Sequence, residues 1–264
     1  MNLGLQGKQA VVTGSTAGIG LAVASALVEE GARVIINGRT EARIAAAVDS
    51  IRQRAKSAEV RGVAADLGNS EGVARFIEQV PEADILVNNL GIFEPKPFLE
   101  IPDSDWVRFF AVNVLSGVRL TRHFLPGMLR KNWGRVIFIA SESAQQIPAE
   151  MIHYGMTKTA QVALARGLAE SVAGTGVTVN SVLPGPTSSE GATLFVLDMA
   201  RRQGVSAAEI EKQFFATVRP SSLLKRFETP EEVAAVVTFV ASAQGAVING
   251  AAVRAEGGII RSML

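Results

Sequence analysis

The stretch QAVVTGSTAGIG, residues 9–20, decides the fold. Gln9 to Thr13 is short, apolar and β-branched, as a buried strand is. Thr13 to Gly20 follows at once and sets Gly14, Gly18 and Gly20 at G-x3-G-x-G spacing. Glycine permits a tight turn and a close backbone approach to a pyrophosphate, and the helix opening at Ile19 offers its positive end to that anion. A glycine string alone is weak. A strand before it and a helix after it supply the context a nucleotide loop needs. Gly20 is followed by Leu21, not lysine, which argues against a nucleoside triphosphatase.

Outward from this loop the chain alternates short apolar runs with helical segments. Arg33 to Asn37, Val60 to Ala65, Asp84 to Asn88, Arg135 to Ala140, Val177 to Val182 and Ala251 to Ala255 read as further strands. Most are near-continuously apolar, as strands covered on both faces of a parallel sheet are. Ile19 to Glu30, Glu41 to Lys56, Ser70 to Gln79, Ser104 to Arg130 and Tyr154 to Gly174 read as helices. A last helix starts near Pro230, where Thr-Pro-Glu-Glu gives a cap, a first-position proline and acids against the helix dipole. The rhythm predicts α/β architecture: one doubly wound domain over residues 1–264, with a mostly parallel seven-stranded sheet and helices on both faces. The long departure from it, about 186–226, is read as a lid whose part from Ala192 to Phe215 is helical and amphipathic.

Composition excludes several chemistries. The chain has no cysteine, so no disulfide, thiolate metal site or cysteine nucleophile. His123 and His153 are the only histidines, too few for an imidazole metal site or a Ser-His-Asp triad, and no metal is expected. A net charge of +1 gives no nucleic-acid surface. The start lacks an apolar targeting region and no apolar run would span a membrane, so no membrane partner and a cytoplasmic location are expected.

Tyr154 is the only tyrosine in 264 residues, and Lys158 follows it at i+4 in YGMTK. That spacing puts both head groups on one helix face. A cation there favours the phenolate and is expected to pull the tyrosine down from about 10.

These pieces together resemble the classical short-chain dehydrogenases/reductases over essentially the whole chain. The resemblance is carried by TGSTAGIG at Thr13, Asp66-Leu67, NNLG at Asn88 to Gly91, Asn113, Ser141 thirteen residues before Tyr154, YGMTK, and PGP at Pro184. It implies a Rossmann-type oxidoreductase moving hydride between a nicotinamide and a carbonyl/alcohol pair. By resemblance Tyr154 is the general acid/base, and Lys158 lowers its pKa and holds the nicotinamide ribose. Ser141 then donates to the substrate oxygen, and Asn113 holds a water on a proton path. Gly14, Ser15, Gly18, Ile19 and Gly20 would line the phosphates, and Asp66 and Leu67 the adenine. Asn88 would lie under the adenosine or link strands, and Gly91 would pass beside the nicotinamide. Pro184, Gly185, Thr187 and Ser189 would reach the carboxamide side; Ser189 replaces a more usual threonine, with Thr187 as its substitute. Leu90 stands where alanine is usual.

The end of the second strand reads IINGRT, with Gly38 at the usual acidic position and Arg39 next. This points to NADP, with NAD as the other option, Arg39 as the 2′-phosphate ligand and Asn37 or Thr40 as helpers. The expected activity is reduction of a ketone or 3-oxoacyl-type compound. The alternatives are an NAD-dependent alcohol or sugar dehydrogenase, and a nucleotide-binding regulator without catalysis. Phe93, Glu142, Ser143, Gln146, Met151 to His153 and the lid's Leu194, Phe195, Leu197, Met199, Phe214 and Phe215 are candidate pocket walls. Glu142 would orient a polar substrate group or cap a turn. The family's habit implies a homo-oligomer, dimer or tetramer, with Ala160, Ala163 and Ala165 allowing close helix approach.

Overall fold

The computed structural model describes residues 2–56 and 58–263, with side chains given for all of these except residues 191, 192, 194 and 195. Leu194 and Phe195 as pocket walls therefore lie outside the described side chains. The seven strands are β1 (Gln9–Val12), β2 (Arg33–Gly38), β3 (Val60–Ala64), β4 (Ile85–Asn88), β5 (Gly134–Ile139), β6 (Val177–Pro184) and β7 (Ala252–Ala255). They form one parallel sheet in the order β3-β2-β1-β4-β5-β6-β7. The order reverses between β1 and β4, whose register pairs Ala10 with Ile85 and Val12 with Val87. Ligands of open α/β sheets bind in the crevice beyond the carboxyl ends of the strands at such a reversal.

Successive strand residues face opposite layers. On one side Val12, Val34 and Ile36 meet Val23 and Leu27 of α1 (Gly18–Glu29), Ile44 of α2 (Glu41–Arg54) and Val233 and Val237 of α9 (Pro230–Ala241). On the other Val11, Leu86, Val136 and Phe138 meet Phe76 of α3 (Ser70–Gln79), Leu120 and Phe124 of α5 (Ser116–Arg130) and Ala165 and Ala169 of α6 (Ile152–Ser171). Ala165 is thus committed to the core and is not a surface for a second copy, contrary to the expectation above. Helix α9 starts as its sequence predicts: Thr229 Oγ1 accepts from Glu232 N at 3.2 Å, and Glu232 Oε2 accepts from Thr229 N at 2.9 Å.

Two helices differ from expectation. The single helix expected over 104–130 is α4 (Asp103–Phe110) and α5, joined by a wide π turn at Ala111–Leu115. The amphipathic stretch after β6 is two helices, α7 (Glu190–Gln203) and α8 (Ala207–Thr217). Gly204 breaks it at φ +67°, where Val205 N donates to Ala200 O at 3.1 Å. Ser206 then caps α8 by accepting from Glu209 N at 3.2 Å. The break thus joins a glycine C-terminal cap to a serine N-terminal cap.

Candidate active site

The loop after β1 is held by side chains that also fix its neighbours. Ser15 Oγ donates to Val12 O at 2.6 Å and accepts from Asn37 N at 3.0 Å. Asn37 is buried, donates to Val63 O and Ala65 O at 3.2 and 3.0 Å, and accepts from Gly14 N at 3.3 Å. It is a brace under the loop and is not free to meet a 2′-phosphate. Thr40 Oγ1 accepts from Arg43 N at 3.4 Å as the cap of α2. Gly14 lies at φ +58°, and a Cβ on Gly20 would stand 2.6 Å from Gly14 O and 2.5 Å from Asn89 Nδ2. These glycines are therefore required by the turn and by close packing. Helix α1 begins at Gly18 after Ala17, with no side-chain cap and no acid in its first turn. Its first N–H groups are left for an anion, unlike those of α2 and α3, which Thr40 and Asn69 cap. The loop fits a dinucleotide pyrophosphate.

Two residues of this cradle were not singled out from the sequence. Asn89 Nδ2 donates to Thr13 O at 2.9 Å and to Gly14 O at 3.0 Å. Thr13 Oγ1 in turn accepts from the backbone N–H of Asn89 and Leu90, each at 2.9 Å. Together they lock the loop after β4 onto the glycine loop. The asparagine read as the adenosine contact behaves differently: Asn88 is buried and its Nδ2 faces Thr121 Oγ1 of α5 at 3.4 Å. Its side chain thus ties β4 to helix α5 and makes no link between strands.

The remaining nucleotide residues ring the same crevice. Asp66 is exposed and accepts from Gly68 N at 3.0 Å and Asn69 Nδ2 at 3.1 Å, shaping the turn after β3. Leu67 is buried in the core at 1% exposure and does not line an open adenine site. Ile19 is half-buried against the core. Arg39 is exposed just beyond β2. A Cβ on Gly38 would stand 2.5 Å from Thr16 Cγ2, so the usual acidic position has no room for a side chain unless Thr16 moves. After β6, Gly185 N donates to Glu228 Oε2 at 3.1 Å, and a Cβ there would stand 2.6 Å from Glu228 Oε1. Thr187 is buried and donates to Gly185 O at 3.0 Å. A Cβ on Gly18 would touch Ser189 Cβ at 3.4 Å, which places the segment after PGP over the glycine loop.

Beyond β4 and β5 the proton-handling groups converge. The π turn holds Asn113, whose side chain accepts from Ile92 N at 2.8 Å and donates to Ile92 O at 3.0 Å and Thr157 Oγ1 at 2.9 Å. Its carbonyl accepts from Gln161 Nε2 at 2.6 Å. Asn113 thus brackets the loop after β4 to α6, and its side chain is fully engaged. A Cβ on Gly91 would stand 3.4 Å from Lys158 Nζ and 3.5 Å from Asn113 Oδ1, so these three meet. Lys158 is buried, donates to Ile139 O at 2.8 Å, and is pushed down to about 7 by burial. Its Nζ lies 5.6 Å from the centroid of the Tyr154 ring, which Phe93 meets edge-on at 6.3 Å.

Tyr154 departs from the expectation that Lys158 lowers it. Burial pushes the phenol well above its usual range, and the Glu142 charge adds to this; the Ser141 hydrogen bond and the Arg219 charge pull it back. The main physical reason is the burial of the phenol itself; Lys158, pushed down to about 7 by its own burial, does not offset it. Ser141 Oγ donates to the Glu142 carboxylate and accepts from Ser143 N at 3.1 Å. Glu142 Oε1 accepts from Arg219 Nε at 3.0 Å.

His153 is not a pocket wall. It is fully buried beside Trp106 and Phe109, with ring centroids 5.9 and 4.0 Å away. Phe214 and Phe215 pack on each other and on Phe227 at 5.1–5.3 Å, holding α8 to the chain before α9. Among the described residues no group of His, Asp and Glu is arranged to hold a metal ion, and no helix is long and apolar enough to cross a membrane.

A profile of the short chain dehydrogenase family matches residues 8–199. The chain belongs to this family. Among curated relatives, this short-chain dehydrogenase is 50% identical to an uncharacterized oxidoreductase of Bacillus subtilis (strain 168), over 100% of both chains. It is 33% identical to a 3-oxoacyl-acyl-carrier-protein reductase of Aquifex aeolicus, covering 98% of this chain and 100% of that one. Among solved structures, L-sorbose reductase of Gluconobacter frateurii, complexed with NADPH and L-sorbose, superposes with a TM-score of 0.94 at 30% identity over 100% of both chains. As a short-chain dehydrogenase the protein is an oxidoreductase.

Proposed function

We propose that the protein is an NADP(H)-dependent reductase of a carbonyl compound, with Tyr154 as the general acid. The observation that carries this reading is the meeting of Tyr154 with buried Lys158, whose Nζ lies 5.6 Å from the phenol ring centroid, in the crevice that also holds Gly91 and Asn113. A protonated phenol is the form needed to give a proton to an oxygen that gains charge during reduction. The cofactor, when bound, supplies the hydride. Gly14, Gly18, Ile19, Gly20 and the start of α1 would hold its phosphates, with Ser15, Thr13 and Asn89 bracing them. Arg39 would hold a 2′-phosphate, and the crowded Gly38 leaves no carboxylate to repel it. Gly91, Pro184, Gly185, Thr187 and Ser189 would border the nicotinamide. Lys158 would hold the ribose and relay protons, and Asn113 would fix the loop and helix that carry the relay. The α7–α8 segment would close over the substrate as a lid.

Two relatives bear on the substrate. One is named as reducing a 3-oxoacyl group and the other as reducing a sugar ketone, so a ketone is the shared chemistry. A panel of ketones and 3-oxoacyl thioesters, followed by loss of NADPH absorbance, tests the reading. Tyr154→Phe is expected to abolish turnover while leaving NADPH binding nearly intact; retained turnover overturns the mechanism. Arg39→Ala removes a charge-assisted hydrogen bond worth about 1.5–3 kcal/mol, so the KM for NADPH should rise roughly 10- to 100-fold with that for NADH unchanged. Equal or better kcat/KM with NADH in the unaltered protein would sink the cofactor assignment.

A further inference from the structure

A serine hydroxyl has one proton to give. Ser141 commits it to Glu142 Oε2, and Ser143 N donates back to Ser141 Oγ at 3.1 Å. The other Glu142 oxygen accepts from Arg219 Nε at 3.0 Å, and the Glu142 and Arg219 side chains of this ion pair are only 6% and 9% exposed. The turn that carries Ser141 and Glu142 is seated on α6 beside the proton-handling groups. Thr159, next to Lys158, donates through Oγ1 to Ala144 O at 2.7 Å. A Cβ on Gly155, next to Tyr154, would stand 3.1 Å from Ser143 O. Lys158 Nζ holds Ile139 O, two residues before Ser141, at 2.8 Å. A buried carboxylate therefore lies one hydrogen bond from the serine read as the donor to the substrate oxygen.

Ser141 cannot give its proton to two acceptors at once. When it turns to a carbonyl oxygen, Glu142 Oε2 loses that donor in a buried place, and a buried polar group left unpaired is costly. An alkyl group beside the carbonyl leaves the loss standing. A hydroxyl on the carbon next to the carbonyl makes it good, because it sits beside the carbonyl oxygen and brings a proton of its own. We propose that Glu142, held by Arg219, is a specificity-determining residue that selects α-hydroxy ketones, accepting the substrate's own hydroxyl when Ser141 turns to the carbonyl oxygen. The proposal deepens the ketone-reductase reading and rests on it, with Ser141 against the substrate oxygen. The carbonyl carbon takes the hydride, its oxygen takes the Tyr154 proton, and the product is a vicinal diol. Glu142 exchanges one hydrogen-bond donor for another and gains no proton. A 3-oxoacyl compound, with a methylene on each side of its ketone, brings no such donor.

Three small ketones separate the hydroxyl's proton from its other effects. Hydroxyacetone carries the donor, methoxyacetone keeps the electron-withdrawing oxygen without the proton, and butanone puts carbon in its place. With NADPH, kcat/KM of the unaltered protein for hydroxyacetone should exceed that for each of the others by about tenfold or more, the ratio that one unpaired buried polar group imposes. In the double variant Glu142→Leu/Arg219→Met, which removes both buried charges together, that preference should largely disappear. A pair with only a structural role would lower the three rates alike and leave the ratios unmoved, so a folded double variant with the full preference overturns the proposal. If the double variant does not fold, the unaltered protein still decides. Methoxyacetone or butanone reduced as well as hydroxyacetone overturns the proposal, and so does reduction of a 3-oxoacyl thioester without reduction of hydroxyacetone. Oxidation of NADPH by none of these compounds, or Tyr154→Phe retaining turnover, is instead the failure of the ketone-reductase reading.

Discussion

At the scale of single residues, Lys158 is placed where its charge is unwelcome. It is buried, and burial pushes it from 10.5 down to about 7. Between those values the unfolded chain binds more protons than the folded one, so this group makes stability rise with pH across that window. Lys158→Met should therefore raise the melting temperature of the cofactor-free protein at neutral pH and flatten its pH dependence between about 7 and 10.5. The gain, on the order of a few kcal/mol, is reduced by the lost hydrogen bond to Ile139 O. Activity should vanish in the same variant, the trade expected of a strained functional group. Melting curves over that pH range, together with a turnover assay, check both halves. The spacing of Tyr154 and Lys158 was legible because four residues along a helix share a face. The state of Tyr154 was not, because burial and a neighbouring carboxylate outweigh a desolvated amine. Arg219 carried no local signal at all, since its partner Glu142 lies 77 residues away.

At the scale of elements, the strands were legible because sheet faces covered on both sides favour mostly apolar runs: β4, β5 and β6 are buried throughout. The π turn at Ala111–Leu115 was not, since one extra residue in a helical turn barely disturbs the apolar period. Yet that turn sets Asn113 against Ile92 and Thr157. The break at Gly204 had its signal in Gly-Val-Ser, but apolar residues on both sides read through it as one helix. The glycine loop was legible, whereas its clamp was not: Asn89 works through two carbonyls that only the folded crevice brings near. Asn89→Ala should free those carbonyls, destabilise the protein by about 1–3 kcal/mol and weaken NADPH binding, while Asn89→Asp fails to restore either because a carboxylate cannot donate. Chemical denaturation and fluorescence titration with NADPH measure the two effects.

For the whole molecule, Lys158 after β5 and Glu228 beside the end of β6 are buried ionisable groups whose titrations oppose each other. Glu228 holds Gly185 N with one oxygen, while the other has no hydrogen-bond partner, and burial raises it to about 7 from 4.5. A raised carboxyl binds its proton more tightly in the folded chain. Its contribution is complete below about 4.5 and is lost as pH rises to about 7. Lys158 acts the other way above about 7, so the two groups together put a minimum of their joint contribution near neutral pH. Glu228→Gln keeps an acceptor for Gly185 N and removes the charge. The variant should be more stable than the parent above about pH 7, should match it near pH 4.5, and should deepen none of the loss between. Combined with Lys158→Met it should abolish the neutral minimum. The groups that ligand binding must meet are those the free fold holds at a cost, which links stability to the site. Melting temperature against pH for the parent, both single variants and the double variant tests this, and a parent curve insensitive to Glu228→Gln above pH 7 would remove Glu228 from the account.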